Sequence, residues 1–209
     1  MPINAENKQT KNFKLVPAGN HVARCYQMIE IGTEEKDIMG ELKKQYTVRV
    51  VWELPNEKDI FDPAKGEQPF SIGKDYTLSM HEKANLRKDL QSWRGKEYTE
   101  EEAKKVDISK LVGAPCMLNV IHKTSKSGNI YATISGVTAI PKGFLCPPQV
   151  NDSFIFSYDS PDFDKKYNTL PDWMKERIAK TPEFKERLSK PPIDQYEQIA
   201  GTSNDDLPF

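Results

Sequence analysis

The chain has 209 residues, 37% apolar and 29% charged, which suits one substantial domain with appendages and excludes both a membrane-embedded protein and full disorder. Its 30 basic and 31 acidic residues nearly cancel, but residues 1–150 carry 22 against 19 and residues 151–209 carry 8 against 12, a slightly basic body before an acidic end. No run nears the ~18 apolar residues of a spanning helix, and the polar first ten residues hold no apolar signal core, so a cytoplasmic protein with no membrane partner is expected.

Residues 1–14 read as a flexible arm. The turn cluster at 16–20 feeds a first strand at 21–31, rich in strand formers. A charged, hairpin-type connection at 32–40 leads to a second strand at 44–54. There the period of two puts Tyr46, Val48, Val50 and Trp52 on one face, and Thr47, Arg49, Val51 and Glu53 on the other. With three prolines and two glycines, residues 55–73 predict a long loop, followed by a third strand at 74–80. The pattern then turns helical: 82–93 lacks Gly and Pro, with Leu86, Leu90 and Trp93 on one stripe. Thr99 with Glu102 predicts a capping box for a short helix. Strands at 115–123 and 128–140 follow, joined by the hairpin chemistry of 124–129.

Strand–strand–strand–helix–strand–strand does not alternate as a parallel α/β chain would. A mainly β protein is expected: a five-stranded oligonucleotide/oligosaccharide-binding (OB-fold) barrel over residues 15–145, with a helical insertion between strands 3 and 4. Residues 146–200 then read as a linker with short amphipathic helices. One has Pro171 near its start and Leu170, Trp173, Met174 and Ile178 on one side; another follows Thr181-Pro182 and carries Phe184 and Leu188. The acidic 159–164 stretch reads as linker. Residues 201–209 form an acidic tail.

Little points to an enzyme or a cofactor. Phosphate-cradling glycine loops, nucleophile elbows and His-Glu-x-x-His are all missing from the sequence. Asp162 and Asp164 could begin a magnesium site, but as a solvated linker pair they need no such role. Cys25, Cys116 and Cys146, and His21, His81 and His122, are scattered. They suggest a reducing compartment, small buried thiols and no protein-built metal site.

Two constellations carry chemistry. If Leu118, Val120, Ile130, Ala132 and Ile134 point inward, then Lys123 and Tyr131 point outward on the last hairpin, with Lys126 in its turn. Lys43 and Lys44, Arg49, and Arg94 with Lys96 supply further cations, and Tyr76 a second ring. Cations for phosphates and flat rings for bases are what single-stranded nucleic acid needs. The plain alternative is a strand tyrosine beside lysines that keep a hairpin soluble. The second constellation is the end, where Asp205, Asp206, Leu207, Pro208 and Phe209 combine acids, a stiff proline and a terminal ring, the makings of a docking peptide.

Residues 205–209 closely resemble the acidic tip of bacterial single-stranded DNA-binding proteins, which typically ends Asp-Asp-Ile-Pro-Phe; Leu207 replaces the isoleucine. Over roughly residues 15–145 the body is similar to the single-stranded DNA-binding proteins of tailed bacteriophages. Residues 86–94, 108–113 and the Gly128-Asn-Ile-Tyr131 run leading to Gly136 carry that likeness. The resemblance implies an OB-fold, sequence-tolerant binding of single-stranded DNA, recruitment of replication, recombination and repair proteins through the tip, and no catalytic residues. The bacterial proteins have Gly/Gln-rich linkers where this chain has Trp173 and Phe184, so their tetrameric assembly is not carried over. Monomer and dimer both stay open. The rival expectation is a protein–protein adaptor that barely touches DNA.

Overall fold

The computed structural model describes residues 14–189. Among these, six strands are formed: β1 (Gly19–Ile38), β2 (Glu41–Asp62), β3 (Gly66–Thr77), β4 (Pro115–Thr124), β5 (Ile130–Thr138) and β6 (Phe154–Phe156). The first five pair antiparallel in the order β3-β2-β1-β4-β5, a curled sheet left open between β3 and β5. The short β6 pairs in parallel with β1 at Gln27, Met28 and Ile29. Helices α1 (Asn85–Arg94) and α2 (Glu100–Ala103) and a 3₁₀ turn (Ile108–Leu111) lie between β3 and β4; α3 (Phe163–Thr169), α4 (Asp172–Ala179) and α5 (Pro182–Ser189) follow β6. None of the described helices is long and apolar enough to cross a membrane.

The strands obey the period-two reading and outrun it in length. On β2, Val48, Val50, Trp52 and Leu54 are all buried on the inner face, where Trp93 of α1 packs on Trp52 with ring centroids 5.9 Å apart. The hairpin connection expected at 32–40 is a hairpin whose strands run on to a two-residue turn. Met39 (φ 58°) and Gly40 (φ 85°) both sit left-handed, the geometry that matches the twist of paired strands. The expected loop at 55–73 is also mostly paired. β2 absorbs Pro55, Asn56 and Glu57 as a bulge, since Leu54 faces Phe70 while Lys58 faces Pro69. Bulges let a ladder tolerate residues that cannot complete it. Thr99 and Glu102 form the expected reciprocal cap of α2.

Two register shifts in β1, between Cys25 and Gln27 and between Glu30 and Gly32, decide where its side chains go. Ala23, Cys25 and Met28 enter the core between the sheet and α1, together with Cys116, Leu118, Val120 and Val137. Ile29 and Ile31 instead enter a second core with Phe156, Phe163, Leu170, Met174, Ile178 and Phe184. One strand therefore serves two cores. The acidic 159–164 stretch, expected as linker, leads straight into this core: Phe163 stacks on Tyr158 and Tyr167.

Polar side chains of β1 and β2 tie the later chain down. Glu53, fully buried, accepts from the Val150 N–H (2.7 Å), the Asn151 N–H (2.8 Å) and the Asn151 amide (2.7 Å). Glu30 accepts from the Ser157 hydroxyl (2.7 Å) and the Tyr158 N–H (2.9 Å), and Arg24 donates to the Pro147 carbonyl at 2.9 Å. Glu183 of α5 accepts from the Thr33 N–H at 2.9 Å and from its hydroxyl. Gly32 lies under this contact in a left-handed conformation (φ 104°), where a Cβ would come 2.8 Å from Glu183 Oε2 and 3.1 Å from Thr181. Only glycine lets α5 seat so close.

Candidate nucleic-acid interface

The β4–β5 hairpin carries the expected pair in the expected register. Lys123 lies directly opposite Tyr131, both exposed, with Tyr131 at 44%. Directly opposed side chains on one face are near enough to act together. The turn that holds them is closed by the Ser125 N–H donating to the Asn129 carbonyl at 2.9 Å and the Gly128 N–H to the Ser125 carbonyl at 3.0 Å. Lys126 projects from this turn, exposed. Leu118, Val120 and Ile134 point inward as expected. Ile130, also expected inward, is 59% exposed, because the hairpin runs past the core at that point and leaves nothing beneath it.

Elsewhere the expected site residues are scattered. Lys43 pairs with Glu41 at 3.0 Å, and Lys44 stands exposed across from Glu35 on the β1–β2 hairpin. Arg94 lies 4.1 Å over the Tyr98 ring and pairs with Glu102 at 3.3 Å, with Lys96 exposed just past the helix end. These two sit by the end of β5 remote from Tyr131, where the Ala139 N–H donates to the Ser92 carbonyl. Beside them, Leu90, Trp93, Tyr98, Leu111, Pro115 and Ile140 line an apolar hollow of about 310 Å³.

Two expected residues are corrected. Tyr76 cannot stack a base: it is 3% exposed inside the first core, its hydroxyl donating to Asp89 at 2.7 Å. Burial and the adjacent Asp89 carboxylate push that phenol well above its ordinary value. Arg49 is no open phosphate contact either. It donates to Asp75 at 2.5 Å and lies 5.3 Å under the Trp173 ring. It also crosses Gly73 of β3, where a Cβ would come within 2.7 Å of the guanidinium. The outward face of β2 on which it was placed is largely covered, with Thr47 and Glu53 fully buried. The sequence pattern names the two faces of a strand but not what lies over the second.

Trp173, expected on one side of its helix with Leu170, Met174 and Ile178, is 50% exposed. Leu170, Met174 and Ile178 take the inward positions. At 100° per residue, Trp173 falls about 100° from their centre, a signal that helical spacing already carries. Cys25 and Cys116 are fully buried in the first core, and burial raises the Cys25 thiol to about 12, which leaves it an inert apolar group. The docking residues Asp205, Asp206, Leu207, Pro208 and Phe209, like the arm through residue 13, lie outside the described residues.

No protein-family model matches the chain, and no curated protein matches it in sequence.

Proposed function

We propose that this protein binds single-stranded DNA with little sequence preference and shields it during replication, recombination and repair. In this reading the curled sheet is an OB-fold in a bacterial cytoplasm, as the resemblance of the body to phage proteins suggests, and residues 205–209 recruit partner proteins, as their resemblance to the bacterial acidic tip suggests. The strand order β3-β2-β1-β4-β5 supports it, since an OB barrel is five-stranded and partly open, and binds with its second and third strands and the loops of its β1–β2 and β4–β5 connections. The observation that carries it is Lys123 opposite Tyr131, both exposed on the last hairpin beside Lys126. The pair offers a cation for phosphate and a ring for a base within one register step.

The covered outer face of β2 favours the adaptor reading, in which the sheet serves partners and barely touches DNA. Titrating the full chain with a short oligo-dT and with duplex of equal length separates the two. The single strand should bind, with log affinity falling by about 0.7 per neutralised phosphate for each unit of log salt, and more tightly than duplex. No salt-dependent binding of oligo-dT would leave the adaptor standing.

A further inference from the structure

Between the β1–β2 hairpin and α4–α5 runs a cleft of about 580 Å³ lined by Thr33, Glu34, Lys44, Arg177, Lys180 and Lys185, among others. Lys44, Lys180 and Lys185 are exposed, and none of the described carboxylates lies within ion-pair distance of them. Two carboxylates face the cleft. Glu34 is gripped by Arg177 at 3.0 and 2.9 Å, while Glu35 stays exposed on the hairpin. Arg177 also holds Asp75 at 2.9 Å, Asp75 holds Arg49, and Arg49 supports one face of Trp173. A half-exposed tryptophan is thus propped on a locked guanidinium, and the same lattice of charges continues into a cleft carrying three unpaired lysines.

We propose that this cleft and Trp173 form a second contact for single-stranded DNA, with Trp173 stacking a base and Lys44, Lys180 and Lys185 meeting phosphates. The inference rests on the single-strand reading above and extends it to the C-terminal unit. The two contacts lie toward opposite ends of β1: β4 pairs with its first residues, Gly19 to Arg24, and the cleft lies beyond Ile31. A strand reaching both would be tracked by cations with a ring at each end. A ring supported by Arg49, itself held by Asp75, surrenders little further freedom on binding.

Fluorescence isolates this ring. Trp52 and Trp93 are 1% and 8% exposed, so Trp173 is the tryptophan a ligand can touch. Oligo-dT should quench the emission of the full chain, and Trp173→Phe should abolish that quenching. Trp173→Ala should weaken binding roughly 5- to 150-fold, the range for one stacked base. The paired change Lys180→Glu with Lys185→Glu should weaken binding at least tenfold and lower the salt slope by about 0.7 per lysine. If the chain binds oligo-dT and Tyr131→Ala weakens it, while the Trp173 and lysine variants match the parent, the cleft is no DNA contact and the hairpin reading survives. If oligo-dT fails to bind at all, both fall. If an acidic peptide binds the cleft, loses affinity in the Lys180→Glu/Lys185→Glu variant and leaves bound oligo-dT in place, the second contact is overturned and the cleft is a protein-binding site.

Discussion

At the scale of single residues, exposure separates rings that could meet a base from rings that cannot. Tyr131 faces solvent, so replacing it with alanine should weaken oligo-dT binding about 5- to 150-fold for every sequence alike; unchanged affinity in a filter or anisotropy titration would remove it from the site. Tyr76→Phe should leave DNA affinity unaltered and cost only its bond to Asp89, about 1 kcal/mol of stability in urea unfolding. Glu53 is a different kind of residue, a buried carboxylate whose acceptors are filled by Val150 and Asn151. Glu53→Ala orphans three donors, so a loss of about 2–5 kcal/mol is expected, read as a fall in the thermal midpoint. A drop under 1 kcal/mol would mean that water replaces the carboxylate freely.

Among the elements, β6 with α3, α4 and α5 behaves as one unit because its apolar side chains share a core, joined to the sheet through Ile29 and Ile31, the β6–β1 pairing and a few polar staples. Ile178, fully buried at the centre of that core, should cost about 2–5 kcal/mol when cut to alanine. The loss should appear as faster amide exchange in α3–α5 before any in β4 and β5. The Glu183 staple gives this attachment a pH dependence. Burial alone would raise its carboxyl, but the Thr33 hydroxyl and N–H, with Glu183's own N–H, outweigh burial and hold it below its ordinary 4.5. A carboxyl depressed in the folded state contributes stability above its unfolded value and loses it as pH falls through the folded one. Protection of α5 amides should therefore drop below about pH 4, and Glu183→Gln should show the weaker protection already at pH 7.

For the whole molecule, one strand divides two cores, and the second core covers the outer face of the curled sheet beside β1. Among the described residues, the hairpin of β4 and β5 and the cleft beside α4–α5 both stay open, as does the hollow beside Arg94 and Lys96. Removing residues 205–209 should abolish capture of partner proteins while oligo-dT affinity holds or rises, because the deletion subtracts acids from the chain. A marked loss of DNA affinity on that deletion would place the tail within the DNA site.

The amino-acid sequence by itself determined what depends on neighbours along the chain. Alternation identified Val48, Val50 and Trp52 as the inner face of β2, while Tyr46, expected beside them, is half-buried outside that core with its hydroxyl donating to Glu30; Leu86, Leu90 and Trp93 identified the buried stripe of α1, and Thr99 with Glu102 identified a helix start. The opposition of Lys123 and Tyr131 follows from a hairpin turn and a period of two. Each is a local rule of backbone geometry and burial. Only tertiary structure decided the rest. Tyr76 turned inward because its strand curls beneath α1. Arg49 became a support for Trp173 because Asp75 and the bare backbone of Gly73 lie across the ladder. The acidic stretch and short helices after residue 150 acquired a core because the bulges of β1 turn Ile29 and Ile31 outward to meet them. Burial of a face depends on what the fold lays against it, and that partner lies outside the reach of local spacing, from 13 residues away for Tyr76 to more than a hundred for Ile29 and Ile31.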